Sequence, residues 1–476
     1  MNRRPNIVFI LTDDQGAWAL GRENPEIITP NLDKMIDEGV HFTNFFCASP
    51  VCSPARCSIV TGRIPSAHGV HDWLRAGNVE NSALPEDMRR PLGGETHAVD
   101  YLKGMPTCFD ALRQDGYRLG MVGKWHMGDS MTPREGFETW NVHLLGGGHY
   151  RHAPVCIEGK PFFTEQYVTD FFTDHAVDFI DHHPEEPFLL SVHYTAPHTP
   201  WAHEQHREDI LRLYDDCPFN EIPFTPLHPD QVNSCEQGRT DEERRYCLKG
   251  YYAAITAVDE GVGRIMEALE RNGIREDTIV VFSGDNGMNL GQHGIWGKGN
   301  GTYPMNMFDT SVKVPFIMWG PKYIRQGAKV ENLISHYDIL PTLRDFLGQS
   351  TSPEEKLPGE SFLRELTEGL PPRDRELCIM DEYGPVRMVR SRTHKLVYEG
   401  IRGGHQLYDL VNDPGETNNL FGKSEYADVQ AALMETLERA FEEYTVAPFG
   451  GKDLAPNGFG QMDRVTAENK DVFHEM

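Results

Sequence analysis

The sequence predicts an α/β fold: a large, mostly parallel central sheet flanked by helices, then a small C-terminal antiparallel-sheet subdomain with one helix. Three observations carry that prediction. Short apolar, β-branched runs alternate with stretches of helical period, the pattern of parallel strands joined by helical crossovers and covered on both faces. After about residue 365 the pattern changes to short strand-like runs broken by Gly, Pro and polar turns. Finally, 476 residues exceed what one compact core supports, so a large domain and a smaller one are expected, placed at residues 1–365 and 366–476.

Residues 6–11 read as the first buried strand, ended by polar residues. Residues 29–39 follow as a helix with Pro30 in its first turn, where a missing N–H costs nothing, and Gly39 after its end. A second helix is expected over 108–115, closed by Gly116, then strands over 118–122 and 187–194. Residues 241–272 form a long helix: Tyr252, Ile255, Val258, Val262, Ile265 and Leu269 recur at helical spacing, and Gly273 ends it. Strands over 278–282 and 314–319 and a helix over 338–347 complete the large unit. In the smaller unit strands are expected at 377–380, 386–390, 394–398 and 406–410, then an amphipathic helix at about 425–445. Residues 450–476 carry Gly, Pro and charge without a period, as a tail or wrapped loop does.

Hydrophobic content of 39% and charged content of 25% are those of a soluble globular protein. A formal charge of −27 argues against nucleic acid or an anionic membrane as partner, and no stretch reaches the length of a membrane span. The apolar run before Thr12 is five residues, too short for the core of a signal peptide, and the nine Cys are odd in number and without framework spacing. Reduced thiols in a cytoplasmic protein are the expectation.

The most informative stretch is Cys52-Ser53-Pro54-Ala55-Arg56, followed by Thr61-Gly62-Arg63. Pro54 suits the first turn of a helix, with Ser53 as its N-cap and Gly62 as its end, so residue 52 stands at the positive end of a short helix, where an anion is favoured. Five loosely fixed positions say little alone. Here they accompany Asp13-Asp14 upstream, Gly123-Lys124-Trp125-His126, Ala196-Pro197-His198, Asp285-Asn286-Gly287 and Gly294-Ile295-Trp296-Gly297-Lys298. In this order the motifs resemble those of the type I, formylglycine-dependent sulfatases of the alkaline phosphatase superfamily. They span residues 12–300, and the run from Leu407 to Leu420 resembles that family's small C-terminal unit, so the resemblance covers most of the chain.

In that family the Cys is oxidised by a separate sulfatase-maturating enzyme to Cα-formylglycine, an aldehyde; the resemblance implies this for Cys52. A hydrated aldehyde has two hydroxyls on one carbon. One attacks sulfur and releases the alcohol; the other, deprotonated, expels sulfate and restores the aldehyde. A Ser ester would have no such internal exit and would stall. Arg56, one turn on, can direct its fixed positive fork at the oxygens of residue 52. Cys57 lacks the following Pro and Arg and is assigned to packing.

Asp13 and Asp14 end one predicted strand and Asp285 and Asn286 follow another, and ligand sites of open parallel sheets gather at the carboxyl ends of strands. Such oxygen donors suit Ca²⁺ or Mg²⁺ rather than zinc. The resemblance implies that Asp13, Asp14, Asp285, Asn286 and the modified residue 52 share one Ca²⁺. It further gives Lys124 a sulfate contact, His126 a contact to a hydroxyl of residue 52, and His198 and Lys298 a role in binding sulfate and protonating the leaving oxygen. The two lysines stand out chemically, because a buried Lys demands an anionic partner. His293 is left outside this set.

The expected function is therefore hydrolysis of a small sulfate ester, of a sugar or another alkyl or aryl alcohol, to alcohol and inorganic sulfate. Two other readings remain: a phosphonate monoester or phosphodiester hydrolase of the same superfamily, and a non-catalytic anion-binding protein with Cys52 unmodified. A homo-oligomer is left open. Because the net charge repels an anionic substrate, capture falls to a local cluster of metal and basic side chains. Candidates for reading the rest of the substrate lie in loops at 71–73, 146–152 and 201–206, and the polar stretch 203–245 reads as a lid or rim.

Overall fold

The computed structural model describes residues 4–92, 97–182, 185–369, 379–400 and 403–475. Ten strands form the main sheet, in the order Ala328–Val330, Val40–Phe42, Phe316–Trp319, Thr278–Gly284, Asn6–Thr12, Phe188–His193, Arg118–Lys124, Phe137–His143, Ala153–Ile157 and Lys160–Thr164. The stretch from Thr278–Gly284 through Phe137–His143 is parallel throughout, while Phe316–Trp319 and the hairpin 153–164 run antiparallel to their neighbours. The α/β prediction of a large, mostly parallel sheet holds.

Both faces are buried, and the first strand shows it residue by residue. Val8 and Ile10 join one core with Leu190, Phe172, Ile255 and Val258, whereas Ile7 and Leu11 join another with Leu189, Ile59, Leu112 and Leu340. Successive strand residues point to opposite faces, so each face needs its own cover. One cover includes the helices Pro30–Glu38, Val168–Asp181 and Asp241–Arg271, the other Cys52–Thr61, Cys108–Gln114 and Ile339–Phe346.

Two helix starts fall where expected, and other boundaries move for local reasons. The long helix starts at Asp241 because Thr240 and Glu243 form a reciprocal capping box, as Thr107 and Asp110 do before Cys108. The expected N-cap Ser53 is a correction: the helix begins at Cys52 behind an extended Val51, and the Ser53 hydroxyl accepts the Leu74 N–H at 3.1 Å instead. Gly62 does end this helix, in the left-handed region at φ 65°. The strand predicted at 118–122 extends to Lys124, and 137–143, the hairpin 153–164 and the helix Val168–Asp181 come in addition to the predicted elements.

The small antiparallel sheet follows in the order Ile379–Tyr383, Val386–Arg390, His394–Tyr398 and Gln406–Asp409. The predicted strand at 377–380 begins outside the described residues. Helix Ala427–Tyr444 packs Leu433, Leu437 and Phe441 onto Val389, Leu396 and Leu407 of this sheet, together with Ile64 and Ala67 from just beyond the Cys52 helix. Among the described residues no helix is long and apolar enough to cross a membrane.

Candidate active site

Strand register assembles the site. Thr12 lies opposite Gly284, Leu11 opposite His193, Gly123 opposite His193 and Lys124 opposite His143. The residues that leave these strands, Asp13-Asp14 and Asp285-Asn286, therefore emerge side by side at one edge of the sheet, with Lys124 at the same edge. Asp14 adopts a left-handed φ of 63°, a conformation uncommon outside glycine.

Carboxylate oxygens of Asp13, Asp14 and Asp285 lie within 4.8 Å of one another, and all three residues are buried. Asp285 Oδ1 accepts the N–H groups of Asp14 at 3.1 Å and Asn286 at 2.8 Å, and its Oδ2 accepts Arg56 Nε at 2.8 Å. Lys124 Nζ reaches Asp13 Oδ2 at 2.5 Å; Lys298 Nζ and Asn286 Nδ2 both reach Asp14 Oδ1, at 2.6 and 2.9 Å. Asp13 Oδ1 and Asn286 Oδ1 are buried without a hydrogen-bond partner. An orphaned buried acceptor costs about 1–3 kcal/mol, and here two of them stand amid three carboxylates. The donors are all oxygen and fit a hard dication.

Like charge is held together by opposite charge. Burial works against ionised Asp13 and Asp14, but Lys124 beside the one and Lys298 beside the other outweigh it and hold both carboxyls below their ordinary range. Burial likewise opposes a charged Lys298, yet Asp14 keeps it protonated, well above the usual lysine value.

Cys52, 2% exposed, is the first residue of its helix. Burial pushes its thiol up against the pull of Lys124 and Lys298, so unmodified Cys52 is a neutral thiol at pH 7 and a weak nucleophile. Arg56 donates to Asp285 and, through Nη1, to the Lys124 carbonyl at 2.9 Å, and its Nη2 is buried without a partner. His126 Nε2 bonds the Leu74 carbonyl at 3.0 Å; burial and then Lys124 keep the ring neutral, and its Nδ1 has no partner. His198 Nε2 stands 3.7 Å from Asp14 Oδ2. Gly146 and Gly147 admit the two rings: a Cβ on Gly146 would meet His126 at 2.1 Å, and one on Gly147 would meet His198 at 2.8 Å.

Asp14, Cys52, His126, His198 and Lys298 open onto one cleft of about 760 Å³. The structure thus brings the ten predicted site residues into one region, five lining the cleft and the others bonded to them or to their neighbours. A separate apolar cavity of about 110 Å³, lined by Ile7, Ile59, Leu112 and Leu343 among others, includes none of the ten. The loop candidates divide. Trp73, Gly146 and Gly147 line the cleft, as do residues 232–235 of the predicted rim, whereas His71, Asp72, Trp201 and His206 are buried in bonding the chain to itself. His293 stacks on Phe308, with ring centroids 3.9 Å apart, away from the cleft, and Cys57 packs in the core.

Two features escaped the sequence reading. His193 Nδ1 lies 3.2 Å from the Lys124 carbonyl and 3.5 Å from Arg56 Nη1; its place at the end of a predicted strand was the available signal. The tail contributes Asn457, Phe459, Met462 and His474 to the cleft, and its lack of period gave no sign of this.

Residues 5–349 match the sequence model of the Sulfatase family, and residues 291–443 that of the N-sulphoglucosamine sulphohydrolase C-terminal region. An N-acetylglucosamine-6-O-sulfatase of Bacteroides thetaiotaomicron is 27% identical over 93% of this chain and 87% of its own length. Among solved structures, a protein in complex with its substrate D-glucosamine-2-N,6-O-disulfate superposes with a TM-score of 0.75 at 23% identity, over 95% of this chain and 100% of the other. The phosphonate monoester hydrolase of Agrobacterium radiobacter gives a TM-score of 0.66 at 20% identity, over 93% and 97%.

Proposed function

Because this chain belongs to the sulfatase family of the alkaline phosphatase superfamily and is a sulfuric ester hydrolase, we propose that it cleaves the sulfate ester of a small sugar through formylglycine made from Cys52. The observation that carries the reading is the acidic cluster with two orphaned oxygens beside Cys52 in a cleft that also holds Lys298, His126 and His198. The sugar comes from the relatives, among them the N-acetylglucosamine-6-O-sulfatase.

Asp13, Asp14, Asp285 and Asn286, with modified residue 52, would hold a Ca²⁺, or Mg²⁺, which when bound supplies positive charge to the sulfate oxygens and to the nucleophile. The chain's own residues do the rest. Arg56 fixes Asp285 and the Lys124 carbonyl, so the nucleophile's helix is tied to two strand ends. In this reading Lys124 and Lys298 supply cations to the sulfate oxygens, and an incoming sulfate competes with Asp13 and Asp14 for them. His126, kept neutral by burial and with Nδ1 unpartnered, in this reading takes a proton from a hydroxyl of residue 52. His198 and Lys298 donate toward the leaving oxygen, which a sugar alcohol needs far more than a phenol does. Cytoplasmic residence and maturation by a separate enzyme complete the reading, together with a division of the chain at 365/366.

Turnover tests it. Enzyme from a host with maturation machinery should hydrolyse 4-nitrophenyl sulfate and a 6-sulfated N-acetylglucosamine, and phenyl phosphonate esters at least a hundredfold less well. The reverse preference would install the phosphonate monoester hydrolase reading.

A further inference from the structure

Trp73, Leu74 and Arg75 all line the cleft, Leu74 buried at 1% exposure and Arg75 exposed. The tail builds this segment into a wall. Arg75 N–H donates to the Gln461 carbonyl at 2.9 Å and Gln461 N–H to the Trp73 carbonyl at 2.8 Å; beyond them Met462 N–H donates to Val472 and His474 N–H to Gly460. Two neighbouring segments of the tail and one from nearly 400 positions earlier thus lie side by side, and Asp72 fixes the middle one by accepting the N–H groups of Gly458 and Gly460.

On that wall the Arg75 guanidinium is held by neutral groups among the described residues. Nη1 donates to the Phe459 carbonyl at 3.3 Å, and the group lies 5.8 Å from the centroid of the Trp73 ring, whose own N–H is tied to the Gly458 carbonyl at 3.0 Å. The side chain is exposed, and no ion pair joins it to a carboxylate among the described residues. Asp14 is the single carboxylate among the described residues lining the cleft, and Lys298 occupies it. Leu74 links the wall to the nucleophile: its N–H donates to Ser53 Oγ and its carbonyl accepts His126. Arg75 is therefore set at a fixed offset from residue 52, while Lys298 and His198 serve the scissile end. A planar guanidinium fork matches a sulfate or a carboxylate, and a molecule of charge −27 needs a local cation to draw in a substrate with two negative groups.

We propose that Arg75 determines specificity by binding a second anionic group, a sulfate or a carboxylate, on the sugar that carries the scissile sulfate, with the Trp73 ring packed beside it. The inference rests on the sulfatase reading. The test compares wild type, Arg75→Ala and Arg75→Lys on 4-nitrophenyl sulfate, N-acetylglucosamine 6-sulfate, glucosamine 2-N,6-O-disulfate and a 6-sulfated disaccharide containing a uronate. Wild type should favour a doubly anionic sugar over the monosulfate. In Arg75→Ala the KM for that sugar should rise roughly 10- to 100-fold, at least tenfold more than for the monosulfate, with the change mainly in KM rather than kcat. Arg75→Lys should recover part of the loss. Which doubly anionic substrate responds, disulfate or uronate, identifies the second anion. Equal losses on all substrates, or a wild type indifferent to the second anion, would overturn the inference and leave the sulfatase reading standing. A wild type that carries the aldehyde yet hydrolyses no sulfate ester would remove both.

Discussion

Two buried charge clusters lie in this molecule, and by charge alone they look alike. Beside the cleft, Asp13, Asp14 and Asp285 face Arg56, Lys124 and Lys298. Where the small sheet meets the large one, Asp309 and Glu416 face Arg390 and Lys395. The difference lies in the oxygens. Arg390 takes both Asp309 oxygens at 2.8 Å, Lys395 bridges Asp309 and Glu416 at 2.8 and 2.5 Å, and the second Glu416 oxygen accepts Asp309 N–H at 2.7 Å. Every carboxylate oxygen there has a donor; beside the cleft, Asp13 Oδ1 and Asn286 Oδ1 have none. Charge balance therefore does not mark a ligand site. What separates the two clusters is a pair of unpartnered oxygens amid three carboxylates, since orphaned atoms also occur singly elsewhere, Arg390 Nε and Asp115 Oδ2 among them.

The sharpest way to break this contrast is chemical. Cys52→Ala should lower sulfate ester turnover by at least about 10⁴-fold, since residual catalysis without a nucleophile rests on binding alone, and should leave the melting temperature within a few degrees. Retained activity would remove Cys52 from its role. Asp285→Asn should lose most bound metal by elemental analysis, and a chelator that lowers the wild-type melting temperature should leave this variant unmoved. Unchanged metal content would refute the cluster as a cation site.

Lys395→Met attacks the other cluster. It leaves the buried carboxylate of Glu416 without its cation, which costs about 3–5 kcal/mol, while kcat per folded molecule and metal content stay at wild-type values. A fall in kcat with stability intact would erase the distinction between the two clusters. Lys298→Ala should cost alkyl sulfates about tenfold more than 4-nitrophenyl sulfate if it assists the leaving oxygen; equal losses would assign it to sulfate binding only.

The smallest effect per residue is of pH on stability. Burial holds the imidazoles of His143 and His206 down at about 4, against an ordinary 6.5. Their contribution is full above pH 6.5 and is lost as pH falls toward 4, at about 1 kcal/mol each by pH 5.5. Asp13, Asp14 and Asp309, depressed by their cations against the cost of burial, stay ionised in this window, whereas Asp72 and Asp259, raised by burial to about 6, take up protons in the folded state as pH falls and offset part of the loss. A melting temperature that falls from pH 7.5 to 5.5 and is less pH-dependent in His206→Gln agrees; a flat profile does not.

Much of this was legible in the sequence, for physical reasons. The strand–helix alternation exposes the sheet, and a strand that ends in Asp13-Asp14 or Asp285-Asn286 announces polar groups at the edge where ligands bind. Hidden features depended on contacts between distant segments. Ser53 looked like a cap because Ser favours that position, yet its hydroxyl serves Leu74 across 21 residues. Strand Phe137–His143 mixes polar and apolar residues and so lacks a buried strand's run. The tail has no period because its segments pair with residues nearly 400 positions earlier, Gln461 with His71 and Gly69 among them, and local pattern carries no trace of such pairing.

The central claim is that Cys52 works as an aldehyde beside a cation held by Asp13, Asp14, Asp285 and Asn286. Mass spectrometry of the Cys52 peptide, from protein made with maturation machinery, tests it most directly. A loss of about 18 Da relative to the thiol is predicted, the change for thiol to aldehyde. An unmodified thiol, with a control sulfatase converted in the same cells, would contradict it.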